Sequence, residues 1–253
     1  MIARIKRLFQ GPSTELALKG LPDKHRIYAV GDIHGRLDLL QDVHQKILQD
    51  AQTYQGTKIV VYLGDYVDRG PHSKQVVDYL LAQTLPDFKA VYLLGNHEQV
   101  LLQFIEGHGL EIAQDWFGFG GLATLQSYGV MLRGIPTLKD LPRLQAEFSE
   151  KCPVAHRQFY QALALSFELG GYFFVHAGIK PKLPLTKQIA DDMLWIRDEF
   201  LNSRKQFEKV IVHGHSVTEK PEIRSNRIGL DTGAYATGLL TCAVFEGERV
   251  DIL

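Results

Sequence analysis

The chain has 253 residues, 45% of them hydrophobic and 23% charged, with a formal net charge of −1. This length suits one large domain or a domain carrying an insertion, and the balanced charge gives no support to nucleic-acid or acidic-membrane binding. Cys152 and Cys242 lie far apart and outside any CxxC spacing, so no disulfide framework is expected, and no apolar run is long enough to suggest a membrane span.

Met1 to Gln10 mix Arg4, Lys6 and Arg7 with Ile2, Ile5, Leu8 and Phe9. The segment lacks the apolar core of a signal peptide, so a short surface helix or tail is expected, with a cytoplasmic location as the default. Gly11, Pro12, Ser13, Gly20, Pro22 and Asp23 predict a linker, making residues 1–24 a tail and linker and residues 25–253 the folded domain. Ile27–Val30, Ile59–Leu63 and Ala90–Leu94 are apolar runs of strand length. Helical spacing follows each of them, over Arg36–Gln52, Ser73–Gln83 and His97–Glu106. This rhythm predicts a βαβαβ core with a parallel sheet. Residues 107–168 are aromatic-rich and predict a helical layer or cap, with one short strand near Val130–Arg133. Strands resume at Tyr172–Val175 and Val210–Val212. Ile228–Leu230, Leu239–Phe245 and Arg249–Leu253 predict an antiparallel meander, with Glu246-Gly247-Glu248 as a hairpin turn. The expected class is α/β, with mixed, sandwich-like sheets flanked by helices and a helical insertion.

Five polar blocks each follow an apolar run. They are Gly31-Asp32-Ile33-His34-Gly35, Gly64-Asp65-Tyr66-Val67-Asp68-Arg69-Gly70, Gly95-Asn96-His97-Glu98, His176-Ala177-Gly178 and His213-Gly214-His215. Taken singly, each has an ordinary explanation: a turn, or a helix start with Asn96 as the cap and Glu98 in the first turn. Five in order, each at the end of an expected strand, argue for one site at the carboxyl ends of parallel strands. In extended chain Asp32 and His34 point to the same side and can grip one divalent ion. Asp65 can bridge two ions, and Asn96, His176 and His215 can complete the shell of the second. Oxygen and imidazole ligands without thiolate suit manganese, with iron or zinc as alternatives. His213 is not expected to be a ligand, and His25, His44, His108 and His156 are expected at surface or helix positions. Tyr66 and Tyr235 are expected to pack, and Asp231 to make a turn.

These blocks resemble the signature of the calcineurin-like metallophosphoesterases, and more narrowly the bacterial members of the serine/threonine phosphoprotein phosphatase family, over roughly residues 27–245. The resemblance implies a phosphomonoesterase that works by in-line attack of a hydroxide bridging two metal ions. It implies that Asp32, His34 and Asp65 hold one metal, and Asp65, Asn96, His176 and His215 the other. It further implies that His97 gives a proton to the leaving group, oriented by Asp68. Arg69, Asn96 and the Arg197 of Leu194-Trp195-Ile196-Arg197 would contact the substrate phosphate. Eukaryotic members carry a different loop where this chain has Asp231-Thr232-Gly233-Ala234-Tyr235, which places the resemblance on the bacterial branch. The expected partner is a phosphorylated protein or a small phosphoester. The alternative enzyme is a symmetrical diadenosine tetraphosphate hydrolase, whose pattern generally lacks the residue matching Asp68. A non-catalytic scaffold is the alternative of another class, and it is disfavoured because no expected ligand is missing. Residues 107–168 and 216–227 are expected to shape substrate choice.

Overall fold

The computed structural model describes residues 20–82, 85–107, 109–132, 134 and 136–253. The expected N-terminal helix or tail, most of the linker, and His108 lie outside these residues. In chain order the elements are β1 His25–Val30, α1 Leu37–Asp50, β2 Thr57–Tyr62, α2 Ser73–Leu81, β3 Lys89–Tyr92, α3 Asn96–Glu106, α4 Gly109–Gly118 and α5 Gly121–Ser127. There follow α6 Leu141–Lys151, α7 Val154–Gln161, β4 Ser166–Leu169, β5 Tyr172–Val175, α8 Ala190–Trp195 and α9 Asp198–Leu201. The chain closes with β6 Val210–His213, β7 Glu222–Ile223, β8 Arg227–Gly229, α10 Ala234–Thr237, β9 Cys242–Glu246 and β10 Arg249–Ile252.

Two mixed five-stranded sheets form, ordered β10-β9-β1-β2-β3 and β4-β5-β6-β8-β7. β1, β2 and β3 run parallel in the first, and β5, β6 and β8 in the second. Strand alternation decides how they stack. Ile27, Ala29, Ile59, Val61, Ala243 and Phe245 of the first sheet meet Tyr172, Phe174, Val212 and Ile228 of the second in one apolar layer. The opposite faces, Tyr28, Val30, Val60, Tyr62 and Val244, pack against the helices of the first half and the insertion. Phe173, Val175 and Ile211 pack outward against Met193 and Phe200 of α8 and α9. Period-two burial on both faces is what a sheet covered on both sides requires.

Two expectations need correction. The C-terminal strands do not form one meander. β8 pairs parallel with β6 in the second sheet, while β9 and β10 form a hairpin on the first. The segment after β8 crosses between sheets, and apolar runs alone do not say which sheet they join. No strand forms at Val130–Leu132. Val130 instead closes α5, its N–H bonding Leu125 O at 2.9 Å beside Gly129 N–H to Gln126 O at 2.8 Å, with Gly129 at positive φ. His44 and His156 take the helix positions among those expected, in α1 and α7, and are buried there, each bonded to a tyrosine hydroxyl, Tyr62 and Tyr128 respectively. Within the expected linker, Leu21 is buried in the inter-sheet layer.

Phe174, fully buried against Tyr172 and Phe245, is central to the contact between the sheets. Phe174→Ala is expected to lower unfolding free energy by about 3–5 kcal/mol, read from the urea midpoint. Truncation of the exposed Ile189 should change it by less than about 0.5 kcal/mol.

Candidate active site

The blocks follow β1, β2, β3, β5 and β6, so the parallel strands of both sheets deliver them to one end of the sandwich. Asp32, His34, Asp65, Asp68, Asn96, His97, His176 and His215 are all buried. Among the described residues six non-glycines have positive φ, and five of them are His34, Asp65, Asp68, Arg69 and His215. Such conformations cost free energy and persist only where surrounding contacts over-determine them.

Glu98 supplies much of that restraint. It lies at the third position of α3, whose cap is Gly95 rather than the expected Asn96. Its Oε2 accepts the N–H groups of Asp65 (2.9 Å) and Gly95 (3.1 Å), and its Oε1 those of Tyr66 (2.8 Å) and Val67 (3.1 Å). One carboxylate thus fastens the second block to the third. The sequence signal was a Glu at the capping-box position, which said nothing of the second block. Gly95 has no β-carbon because one would collide with Asp65 Oδ1.

His34 Nδ1 bonds Val67 O and His176 Nδ1 bonds Leu63 O, each at 2.8 Å. A carbonyl only accepts, so both Nδ1 atoms carry hydrogen and both Nε2 atoms present lone pairs. His34 Nε2 then faces Asp65 Oδ2 at 3.5 Å, and His176 Nε2 faces Asp65 Oδ1 at 3.4 Å. Acceptor meets acceptor on each side of one carboxylate, an arrangement that cations relieve. His176 Nε2 and His215 Nδ1 also converge on Asn96 Oδ1, at 2.8 and 2.9 Å. Two sets of side chains have donor atoms within 4.8 Å of one another: His34, Asp65 and His97, and Asp65, His176 and His215. The donor set fits divalent ions. Asp32 lies beside them, both oxygens accepting the His215 N–H at 3.2 and 3.0 Å.

The electrostatics agree. Burial lowers His34 to about 3 and His215 to about 2, and also lowers His176. Neutral imidazole is the metal-binding form. Burial, then Asp231 and Asp65, push Asp32 well above the ordinary carboxylate range in the ion-free protein, a penalty that bound cations would remove. Asp231 does make the expected turn, Oδ1 accepting Gly233 N–H at 2.8 Å, but it also adds negative charge to this site.

His97 differs. Burial opposes its charge, but Asp65 and Asp68 outweigh burial and raise it. Its Nδ1 lies 2.7 Å from Asp68 Oδ2, and its Nε2 lies 3.9 Å from Asp65 Oδ2. Arg69 Nη2 is 3.3 Å from that Nε2, and its guanidinium lies over the Tyr235 ring at 4.6 Å. Tyr235 therefore contacts Arg69 and, edge-on, His34, whereas Tyr66 packs with its hydroxyl on Leu93 O. Arg197 reaches the same end of the fold, Nη1 bonding His215 O and Ser216 Oγ, each at 3.2 Å. His213 lies on the far face, against Arg227 and Phe200.

A two-sheet sandwich that gathers paired imidazoles and carboxylates at its strand ends defines a metallophosphoesterase. The calcineurin-like phosphoesterase family model matches residues 25–238, and the chain belongs to that family. It is 27% identical to the bis(5′-nucleosyl)-tetraphosphatase PrpE (asymmetrical) of Oceanobacillus iheyensis, over 90% of this chain and 92% of that protein. The corresponding protein of Halalkalibacterium halodurans is 24% identical over 88% and 92%. A crystal structure provisionally assigned as a diadenosine tetraphosphatase superposes with a TM-score of 0.58 at 25% identity, covering 92% of this chain and 96% of the other. The cold-active protein-tyrosine phosphatase of a psychrophilic Shewanella superposes at 0.56 with 17% identity, covering 93% and 81%, and shares the fold. No helix among the described residues is long and apolar enough to cross a membrane.

The lowered histidines carry a pH signature. Below about pH 6.5 the unfolded chain binds protons that the folded rings refuse until far lower pH. Their contribution to stability is complete above that pH and is lost as pH falls through the interval; the raised groups His97, Asp32, Glu98 and Asp231 act in the opposite sense but are outnumbered, because His44, His156 and His213 are lowered as well. Chelator-treated protein is expected to show a lower urea midpoint at pH 5 than at pH 7.5. An equal or higher midpoint at pH 5 would contradict this.

Proposed function

We propose that this chain is a metal-dependent phosphomonoesterase acting on phosphoserine and phosphothreonine in proteins. The observation that carries this reading is the buried His97–Asp68 pair, 2.7 Å apart, which keeps a hydrogen on Nδ1 and leaves Nε2, 3.3 Å from Arg69 Nη2, as the nitrogen that would carry the transferred proton once Arg69 turns to a phosphate. A serine or threonine alkoxide is a strong base and needs a proton as the P–O bond breaks. A nucleotide phosphate is a far weaker base and leaves without one. A dedicated proton donor is therefore best explained by an alkyl phosphoester.

Asp32, His34 and Asp65 would hold one divalent ion, and Asp65, Asn96, His176 and His215 a second, with manganese preferred and iron or zinc compatible. Ions so held would supply Lewis acidity, polarising the phosphoryl group and lowering the pKa of bound water toward neutrality. Arg69, steadied by Tyr235, would draw the phosphate oxygens to within reach of His97. Arg197 and Asn96 would add further contacts to the phosphate. His97 Nε2 would give its proton to the departing oxygen. A cytoplasmic location accompanies this reading.

A second reading is hydrolysis of a dinucleoside tetraphosphate, favoured by the names of the PrpE relatives, which align along nearly their whole length. Steady-state kinetics with manganese separate the two. The proposal expects kcat/KM on a phosphoserine peptide to exceed that on diadenosine tetraphosphate by at least about tenfold. The reverse preference would establish the second reading.

A further inference from the structure

The helical insertion does more than border the site: it holds the carboxylate behind the proton donor. Asp68 is completely buried, and its side chain accepts three hydrogen bonds. His97 Nδ1 (2.7 Å) and Trp116 Nε1 (2.9 Å) donate to Oδ2, and Thr124 Oγ1 (2.6 Å) donates to Oδ1. Trp116 and Thr124 belong to α4 and α5, far along the chain from the block they serve. Thr124 has a single hydroxyl hydrogen, and it is spent on Asp68. The Ser73 hydroxyl, 3.0 Å away, therefore donates to Thr124 Oγ1. The Asp68 N–H reaches both hydroxyl oxygens, at 3.0 and 2.9 Å. The same turn of the insertion also holds Arg69, whose N–H donates to Gly120 O at 3.2 Å. Gly121 has no β-carbon because one would collide with the Trp116 indole. Residues 116–124 are thus shaped around Asp68 and Arg69.

We infer that Trp116 and Thr124 are positioning residues for proton transfer to the leaving group, acting through Asp68 on His97. The inference rests on the general-acid reading given above. Asp68 Oδ2 accepts the His97 Nδ1 hydrogen at 2.7 Å. His97 Nδ1 therefore keeps its hydrogen throughout, and only Nε2 exchanges one. As the scissile P–O bond breaks, its electron pair passes to the leaving oxygen, which takes the Nε2 proton. The attacking water supplies the new P–O bond, its two protons stay with the phosphate product, and the ring is left neutral with Nδ1–H still on Asp68. Without Thr124 or Trp116 the carboxylate is free to rotate, and Nε2 loses its aim.

The test compares kcat on a phosphoserine peptide, whose leaving group needs a proton, with kcat on p-nitrophenyl phosphate, whose leaving group does not. Thr124→Val keeps the shape and removes the donor; Trp116→Phe removes the indole N–H. Each is expected to lower kcat on the peptide about tenfold, the worth of one hydrogen bond to a charged group. The aryl substrate should change by less than about twofold. Thr124→Ser should restore the ratio, and Thr124→Val should change nothing further when His97 is already Asn. An equal fall on both substrates, or none, in both variants would overturn the inference and leave these residues as packing. His97→Asn run alongside separates the two levels. If it shifts the ratio and Thr124→Val and Trp116→Phe do not, only the inference fails. If it leaves the ratio unchanged, the general-acid reading fails and the inference with it.

Discussion

The structure turns on one carboxylate. Asp65 is buried, and each of its oxygens faces an imidazole nitrogen that presents a lone pair, because the other nitrogen of each ring is bound to a backbone carbonyl. Such a contact is unfavourable for a protein alone. Divalent ions would relieve it, held by Asp32, His34 and Asp65 and by Asp65, Asn96, His176 and His215, with Asp65 as the ligand common to both sets. The positive-φ backbone at His34, Asp65, Asp68, Arg69 and His215 is a cost of the same kind, accepted so that side chains from separate strands meet.

The sandwich makes this meeting possible. Neither sheet alone holds the whole set: β1, β2 and β3 end in the blocks that contain Asp32, Asp65 and Asn96, while β5 and β6 end at His176 and His215. Packing the sheets through Phe174 and Phe245 fixes the distance between the two groups. Glu98 ties the second block to the third, and α4 and α5 brace Asp68 from outside the sheets. Core, helix terminus and insertion thus restrain one small region from three directions, which is how a site is kept in place without relying on loops.

Much of this was legible in the sequence because apolar runs of strand length alternate with helical spacing, and because the polar blocks stand immediately after those runs. The positions of β1, β2, β3 and β5 came directly from that pattern. Pairing did not, since β8 and β9 are equally apolar and join different sheets. Val130 looked like a strand residue because the apolar contact that closes a helix has the same hydropathy. At the site, the residues with metal-ligand chemistry announce themselves by type and spacing. Those that hold others in place do not. Glu98 resembled a helix-capping acid, Trp116 an ordinary core aromatic, and Thr124 carried no signal at all; their partners lie on other elements, and only the three-dimensional fold shows them.

The central claim is that one side chain serves two ions. It is tested most directly by the metal content of Asp65→Ala, reconstituted with manganese and desalted beside the parent. The account predicts about two ions per parent chain and the loss of both together in the variant. Retention of two ions, or loss of one while the other binds at parental affinity, would contradict it.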